Sequence, residues 1–129
     1  MFSFLKKKNK YPPFNLLTSF HKRNAYFTRT AEWGWLDNEN IFITNPISSE
    51  VFRPTSWSQD IFLNANGAMT VAEYIHAMAA RYTDKIPYDL DKIIIMELIK
   101  LSEEKLIAFV DSKQNPAREF ELPKFFNVK

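Results

Sequence analysis

Two histidines, His21 and His76, are the chain's imidazoles, and no cysteine accompanies them. An imidazole works as a base, proton shuttle or metal ligand when a neighbouring group orients its ring. His21 lies in a basic segment. His76 sits beside the apolar stripe of "TVAEYIHAMAARY", without an acid partner at a useful spacing. The paired carboxylates Asp89 and Asp91 open an expected helix, where the helix dipole accounts for them without a metal. Glu103 and Glu104 read as a solvated helix end. Trp33 and Trp35 could form an aromatic platform, although packing is the usual use of such residues in a small core. No enzyme activity, metal site or cofactor is expected from this set.

Gly34 and Gly67 are the only glycines, so neither a phosphate-cradling P-loop nor a dinucleotide fingerprint can be written. Absence of cysteine removes disulfides, thiolate metal sites and cysteine nucleophiles, and fits a cytoplasmic location. The 129 residues, 46% hydrophobic and 16% aromatic, suit one domain with a sizeable core. The formal net charge of +2 conceals a division. Seven basic residues and no acidic ones fall in 1–30, leaving 10 basic and 15 acidic residues in 31–129, a net of −5. That balance argues against a uniformly basic nucleic-acid binder.

"MFSFLKKKNK" reverses the order of a secretory signal, and its apolar part is too short. No transmembrane span is expected. Either the segment is a frayed terminus, or Lys6, Lys7 and Lys8 give a weak contact with an anionic membrane surface or nucleic acid, worth about 1 kcal/mol per lysine at a membrane. Residues 1–25 are thus expected to form a basic extension, 26–110 the domain, and 111–129 an aromatic tail.

The elements that would position any site follow from turn and period signals. "YFTRTAEWGWL" has the alternation of a strand, "IFIT" at 41–44 is a second, and "ISSEVFR" at 47–53 a third, stopped by Pro54. Ser56 with Gln59 and Thr70 with Glu73 fit capping boxes. They start helices expected over 57–65 and 71–82, with Gly67 free to take a positive φ in the intervening "NANG" turn. A third helix is expected over 89–104. Its Leu90, Ile94, Leu98 and Leu101 share one face, and Ile95, Met96 and Ile99 lie nearly opposite. A helix with two apolar faces is deeply buried or offers one face to something else. A strand over 105–110 and an extended tail with Phe120, Leu122, Phe125 and Phe126 complete the chain.

"SWSQDIFLNANGAMTVAEYIHAMAARY" followed by "LDKIIIMELIKLSEEKLIAF" resembles the PqqD-like family, which includes peptide-recognition domains of ribosomal-peptide maturation systems. The likeness spans about residues 31–110 and rests on Ile61 to Gly67, on Thr70 to Glu73 with Ile75, and on Leu101 with Leu106 and Ile107. It implies a winged-helix-like α+β fold, a small antiparallel sheet of about three strands followed by three helices. It also implies a non-enzymatic adaptor that takes an extended peptide as an added strand, and so delivers a precursor peptide to a modifying enzyme. Carried onto this chain, the edge would be Ile47 to Arg53, with Ser49, Glu50, Val51, Phe52 and Arg53 as contacts. The helix wall would be Lys92, Ile95, Met96 and Ile99.

Two rivals stand beside this reading. Phe120, Phe125 and Phe126, or a second copy, could cover the third helix's second face, making the chain a structural or oligomer-forming domain. DNA reading is disfavoured, because the third helix sets Asp89, Asp91, Glu97, Glu103 and Glu104 against Lys92 and Lys100, a net of −3.

Overall fold

The computed structural model of the chain describes residues 11–124. The contact expected of Lys6, Lys7 and Lys8 and the burial expected of Phe125 and Phe126 lie outside the described residues. In chain order the elements are α1 (Asn15–Ser19), β1 (Tyr26–Arg29), β2 (Trp33–Trp35), β3 (Ile41–Thr44), β4 (Val51–Phe52), α2 (Ser56–Leu63), β5 (Asn66–Thr70), α3 (Val71–Ala79), α4 (Leu90–Glu103), β6 (Ile107–Val110) and α5 (Arg118–Glu121). They form two three-stranded antiparallel sheets, ordered β5-β1-β6 and β2-β3-β4, together with five helices, an α+β architecture.

The stretch "YFTRTAEWGWL" is not one strand. It is divided between the sheets, β1 in one and β2 in the other, on either side of the buried Ala31. Phe27, Thr28 and Arg29 are all buried, because β1 is a central strand covered on both faces, whereas alternation requires one wet face. The third strand is also shorter than expected. Asn45 Oδ1 accepts from the N–H groups of Ile47 and Ser48 at 2.8 and 3.0 Å, so residues 45–50 are a tight connection and pairing resumes at Val51.

The "NANG" stop is followed by a strand rather than a turn alone. Tyr26 faces Thr70 while Thr28 faces Asn66, so β5 carries extra residues against β1, and Gly67 sits in this irregularity at φ 75. A left-handed glycine is what such a bulge requires.

Helix starts follow local hydrogen bonding. Thr70 Oγ1 accepts from Glu73 N–H at 3.1 Å, and the Glu73 carboxylate accepts from Thr70 N–H at 2.9 Å, the expected reciprocal box. The other box does not form. Thr55, not Ser56, caps α2, accepting from Ser58 N–H at 3.2 Å. Gln59 turns toward the sheet instead, accepting from Ile41 N–H at 3.0 Å and donating to the Glu39 carbonyl at 2.6 Å.

α4 packs against α1, α2, α3 and β6. Leu90, Ile94, Leu98 and Leu101 are buried, and so is Ile95 from the second apolar set. Part of that second face is supplied with neighbours from inside the chain. Phe14, Leu17 and Phe20 belong to the same core, although they fall in the segment 1–25 read from sequence as an extension. Burying side chains of this size stabilises by roughly 1.5–3 kcal/mol each. Leu17 N–H donates to the buried Asp91 carboxylate at 3.0 Å, fastening α1 to the first turn of α4. No helix among the described residues is long and apolar enough to cross a membrane.

Candidate functional site

β4 is the outer strand of its sheet, and no described residue pairs with its far side. Asn45 N–H donates to the Glu50 carbonyl at 2.7 Å, and Thr44 N–H turns away to the Glu32 carbonyl at 2.8 Å. Antiparallel alternation from that bond sends the backbone of Phe52 toward β3 and leaves the N–H and C=O of Val51 facing outward. The connection leading into this edge is held at Ser49 by a left-handed φ of 66, with Ser49 N–H donating to the Asn45 carbonyl at 2.8 Å. Ile47 is exposed at its tip.

Beside the edge lies a cleft of about 340 Å³ between β4, the start of α2 and the last turns of α4. Phe52 and Leu101 give it apolar wall. Glu50, Arg53, Lys100 and Glu104 give it charge of both signs, and none of the four forms a salt bridge among the described residues. Ser58 Oγ, at its floor, donates to Glu97 Oε1 at 2.6 Å and ties α2 to α4.

The expected contacts divide accordingly. Glu50, Phe52 and Arg53 line the cleft, and Val51 is exposed on the strand itself. Ser49 faces a neighbouring hollow with Glu32, Thr44 and Phe120. The helix wall is different from the expected one. Ile95 is 1% exposed and belongs to the core, Ile99 packs partly buried against it, and Lys92 and Met96 are exposed without lining the cleft. Lys100, Leu101 and Glu104 stand there instead, because the hairpin meets the C-terminal turns of α4 while the first turn is engaged by α1.

A second constellation, which residue spacing did not reveal, surrounds Arg29. Its buried guanidinium donates to the carbonyls of Leu63 at 3.0 Å, Phe62 at 3.3 Å, Phe120 at 2.9 Å and Glu121 at 3.0 Å. The rings of Trp33 and Phe62 lie 5.3 and 5.8 Å away. Burial lowers the guanidinium's pKa, and the nearby Glu121 charge opposes that shift. Trp33 Nε1 also donates to the Phe120 carbonyl, at 3.0 Å. Phe120 therefore lies at this latch and not on the second face of α4. Further along, Lys124 bridges in parallel to Gly34, its N–H donating to the Trp33 carbonyl at 2.6 Å, so the tail occupies the β2 side of the sheet whose opposite side is β4.

Of the remaining candidates, His76, Asp91 and the tryptophans have structural partners. His76 is exposed and stacks on Tyr11 at 5.1 Å, and the carboxylate of Glu73, one turn before it, is held in the capping box. Asp89 makes no side-chain cap bond, whereas Asp91 serves α1. Trp33 is buried and Trp35 exposed, edge to face at 5.9 Å. Among the described residues no group of three or more His, Asp or Glu side chains is placed to hold a metal ion. Comparison with protein-family models, with curated proteins and with solved structures gives no match for this chain.

Proposed function

We propose that the chain is a non-enzymatic, winged-helix-like binding module that takes an extended peptide as a strand added to β4. The observation that carries this reading is the outward-facing backbone of Val51 beside the cleft shared with α4. Main-chain hydrogen bonds to that edge set register, and alternate side chains of the peptide enter between Phe52 and Leu101. Glu50, Arg53, Lys100 and Glu104 then select among peptides by charge pattern. The PqqD-like resemblance makes a precursor peptide, delivered to a modifying enzyme, the client to try first. An acidic α4 disfavours nucleic acid as the ligand.

The test is selection of peptides from a displayed library on the full chain, followed by measurement of their affinity for a Val51→Pro variant. Proline removes the outward donor and leaves the bonds to β3 intact. Selected peptides should bind the wild type and lose at least about tenfold on a folded Val51→Pro variant, the effect of about 1.4 kcal/mol. Undiminished binding to that variant would remove the β4 edge from the function.

A further inference from the structure

β6 is the outer strand of the other sheet, and no described residue pairs with its far side. Thr30 N–H donates to the Leu106 carbonyl at 2.9 Å, while Arg29 N–H turns away to the Ala65 carbonyl at 2.8 Å. Alternation from these bonds aims the backbone of Ala108 and Val110 at β1. The N–H and C=O groups of Ile107 and Phe109 face outward. Such an edge is a template for another extended chain.

An open groove of about 480 Å³ runs beside it, between β6, the end of α4 and the tip of the β3–β4 hairpin. Its apolar contacts include Ile47 and Phe109, and Ile47 is 74% exposed. Lys22 and Lys105 are the charged residues of the lining, and neither forms a salt bridge among the described residues. Lys22 Nζ lies 5.9 Å from the Phe109 ring centroid, above the edge itself. Lys105 is held at a left-handed φ of 66, and its carbonyl accepts from Thr30 Oγ1 at 2.8 Å.

We propose that this groove receives an extended acidic segment of a partner protein, added as a strand to β6, with carboxylates at Lys22 and Lys105 and apolar residues against Ile47 and Phe109. Charge selects this occupant. Residues 11–124 hold 12 basic and 15 acidic residues, a net of −3, yet the lining here has cations and no acids, which attracts carboxylates and repels basic chains. Two lysines are too few for a phosphate backbone. Pairing β6 with β6 of a second copy would bring the same lysines from both chains together. The strand edge is distinct from that of β4, which lies in the other sheet and lines a cleft of mixed charge, although the hairpin tip and the end of α4 border both.

The experiment uses the full chain and an octapeptide probe of alternating aspartate and valine, with a lysine–valine counterpart and a single-stranded oligonucleotide as comparisons. Fluorescence anisotropy should show binding of the acidic probe alone, and backbone amide shifts should fall on Ile107 to Val110. A Lys22→Glu, Lys105→Glu double variant should weaken it by about tenfold, while Lys92→Glu, at an exposed lysine outside the groove, leaves it unchanged. Should the double variant not fold, Lys22→Gln alone should weaken it by about threefold. No binding of the acidic probe, equal binding of the lysine counterpart, preference for the oligonucleotide, or shifts confined to Val51 and its neighbours would each overturn the proposal.

Discussion

Arg29 Nε donates to the carbonyl of Phe120 at 2.9 Å across 91 positions of sequence, the bond that fastens the tail to the centre of a sheet. The same guanidinium reaches the carbonyls of Phe62 and Leu63 in the last turn of α2, which carry the negative end of its dipole; that of Phe62 also accepts from Ala65 N–H at 3.1 Å. A cation buried without a contacting carboxylate is tolerable here because its donors meet four carbonyls and aromatic faces lie beside it.

Replacing Arg29 with methionine keeps the apolar stem and removes every donor. Carbonyls of α2 and the tail are then left without that partner, and we expect destabilisation of about 3 kcal/mol by urea denaturation. Arg29→Lys should recover only part, because an ammonium with three donors cannot serve all four carbonyls. The tail should become cleavable by trypsin after Arg118 at lower protease exposure. Unchanged protection of the tail in Arg29→Met would remove Arg29 as the latch.

Gly67 gives a second, independent hold on the tail. A Cβ built at Gly67 would overlap the Gln114 carbonyl oxygen, and the φ of 75 is itself unfavourable for any other residue. Gly67→Ala should therefore destabilise by more than the roughly 1 kcal/mol of the backbone effect alone. Amide exchange at Gln114, whose N–H donates to the Gly67 carbonyl at 3.3 Å, should accelerate beyond that of the core. A change confined to global stability, with Gln114 exchanging in step with the core, would contradict a local contact.

Local signals in the sequence located elements well where neighbours in sequence settle the bonding. The Thr70 and Glu73 box, the stripe of Val71, Tyr74, Ile75, Met78 and Ala79, and the Leu90 to Leu101 face are all of this kind, although α3 ends at Ala79 and Tyr82, expected on the same stripe, lies beyond it and is only partly buried. Partnerships between distant segments were not legible. Nothing in "YPPFNLL" announces that Leu17 will meet Asp91, and an arginine in a strand reads as an exposed charge until the carbonyls that surround it are known. For the β4 site, a strand ending before Pro54 was readable from local signals, with bounds of 47–53 against the observed Val51–Phe52, whereas its role as an edge came from the resemblance. The cleft's helix wall was displaced toward Lys100, because periodicity gives the faces of a helix but not which turn a hairpin will meet.

Caps separate the two kinds of signal experimentally. Thr55→Ala and Thr70→Ala should each cost about 1 kcal/mol, since both hydroxyls accept from an orphan amide. Ser56→Ala should be nearly neutral, because Ser56 is exposed and follows the cap. Gln59→Ala should cost about 1 kcal/mol or more through its two bonds toward β3, and Gln59→Glu should not restore the bond donated to Glu39. Equal effects at Ser56 and Thr55 would return the cap to the position the sequence pattern suggests.

Alkaline stability should report on Tyr74. Its ring is 1% exposed and its hydroxyl donates to Asp60 Oδ2, which Arg81 approaches through Oδ1 at 3.8 Å. Burial, then the hydrogen bond and charge of Asp60, raise the phenol's pKa well above its ordinary value of 10.0, with Arg81 opposing. Below that value the phenol holds its proton in both folded and unfolded chains, so its contribution is fully present. As pH rises above it, the unfolded chain releases the proton while the folded chain keeps it, so the unfolded state binds fewer protons and stability falls. The slope for this one group is about 1.4 kcal/mol per pH unit. Denaturation curves at about pH 9 and about pH 11 should differ by more in the wild type than in Tyr74→Phe, which has no phenolic proton to lose. Tyr74→Phe should also be less stable at neutral pH by roughly 1–2 kcal/mol, from loss of the bond to Asp60. Parallel pH profiles for the two proteins would mean that Tyr74 ionises alike in the folded and unfolded chains.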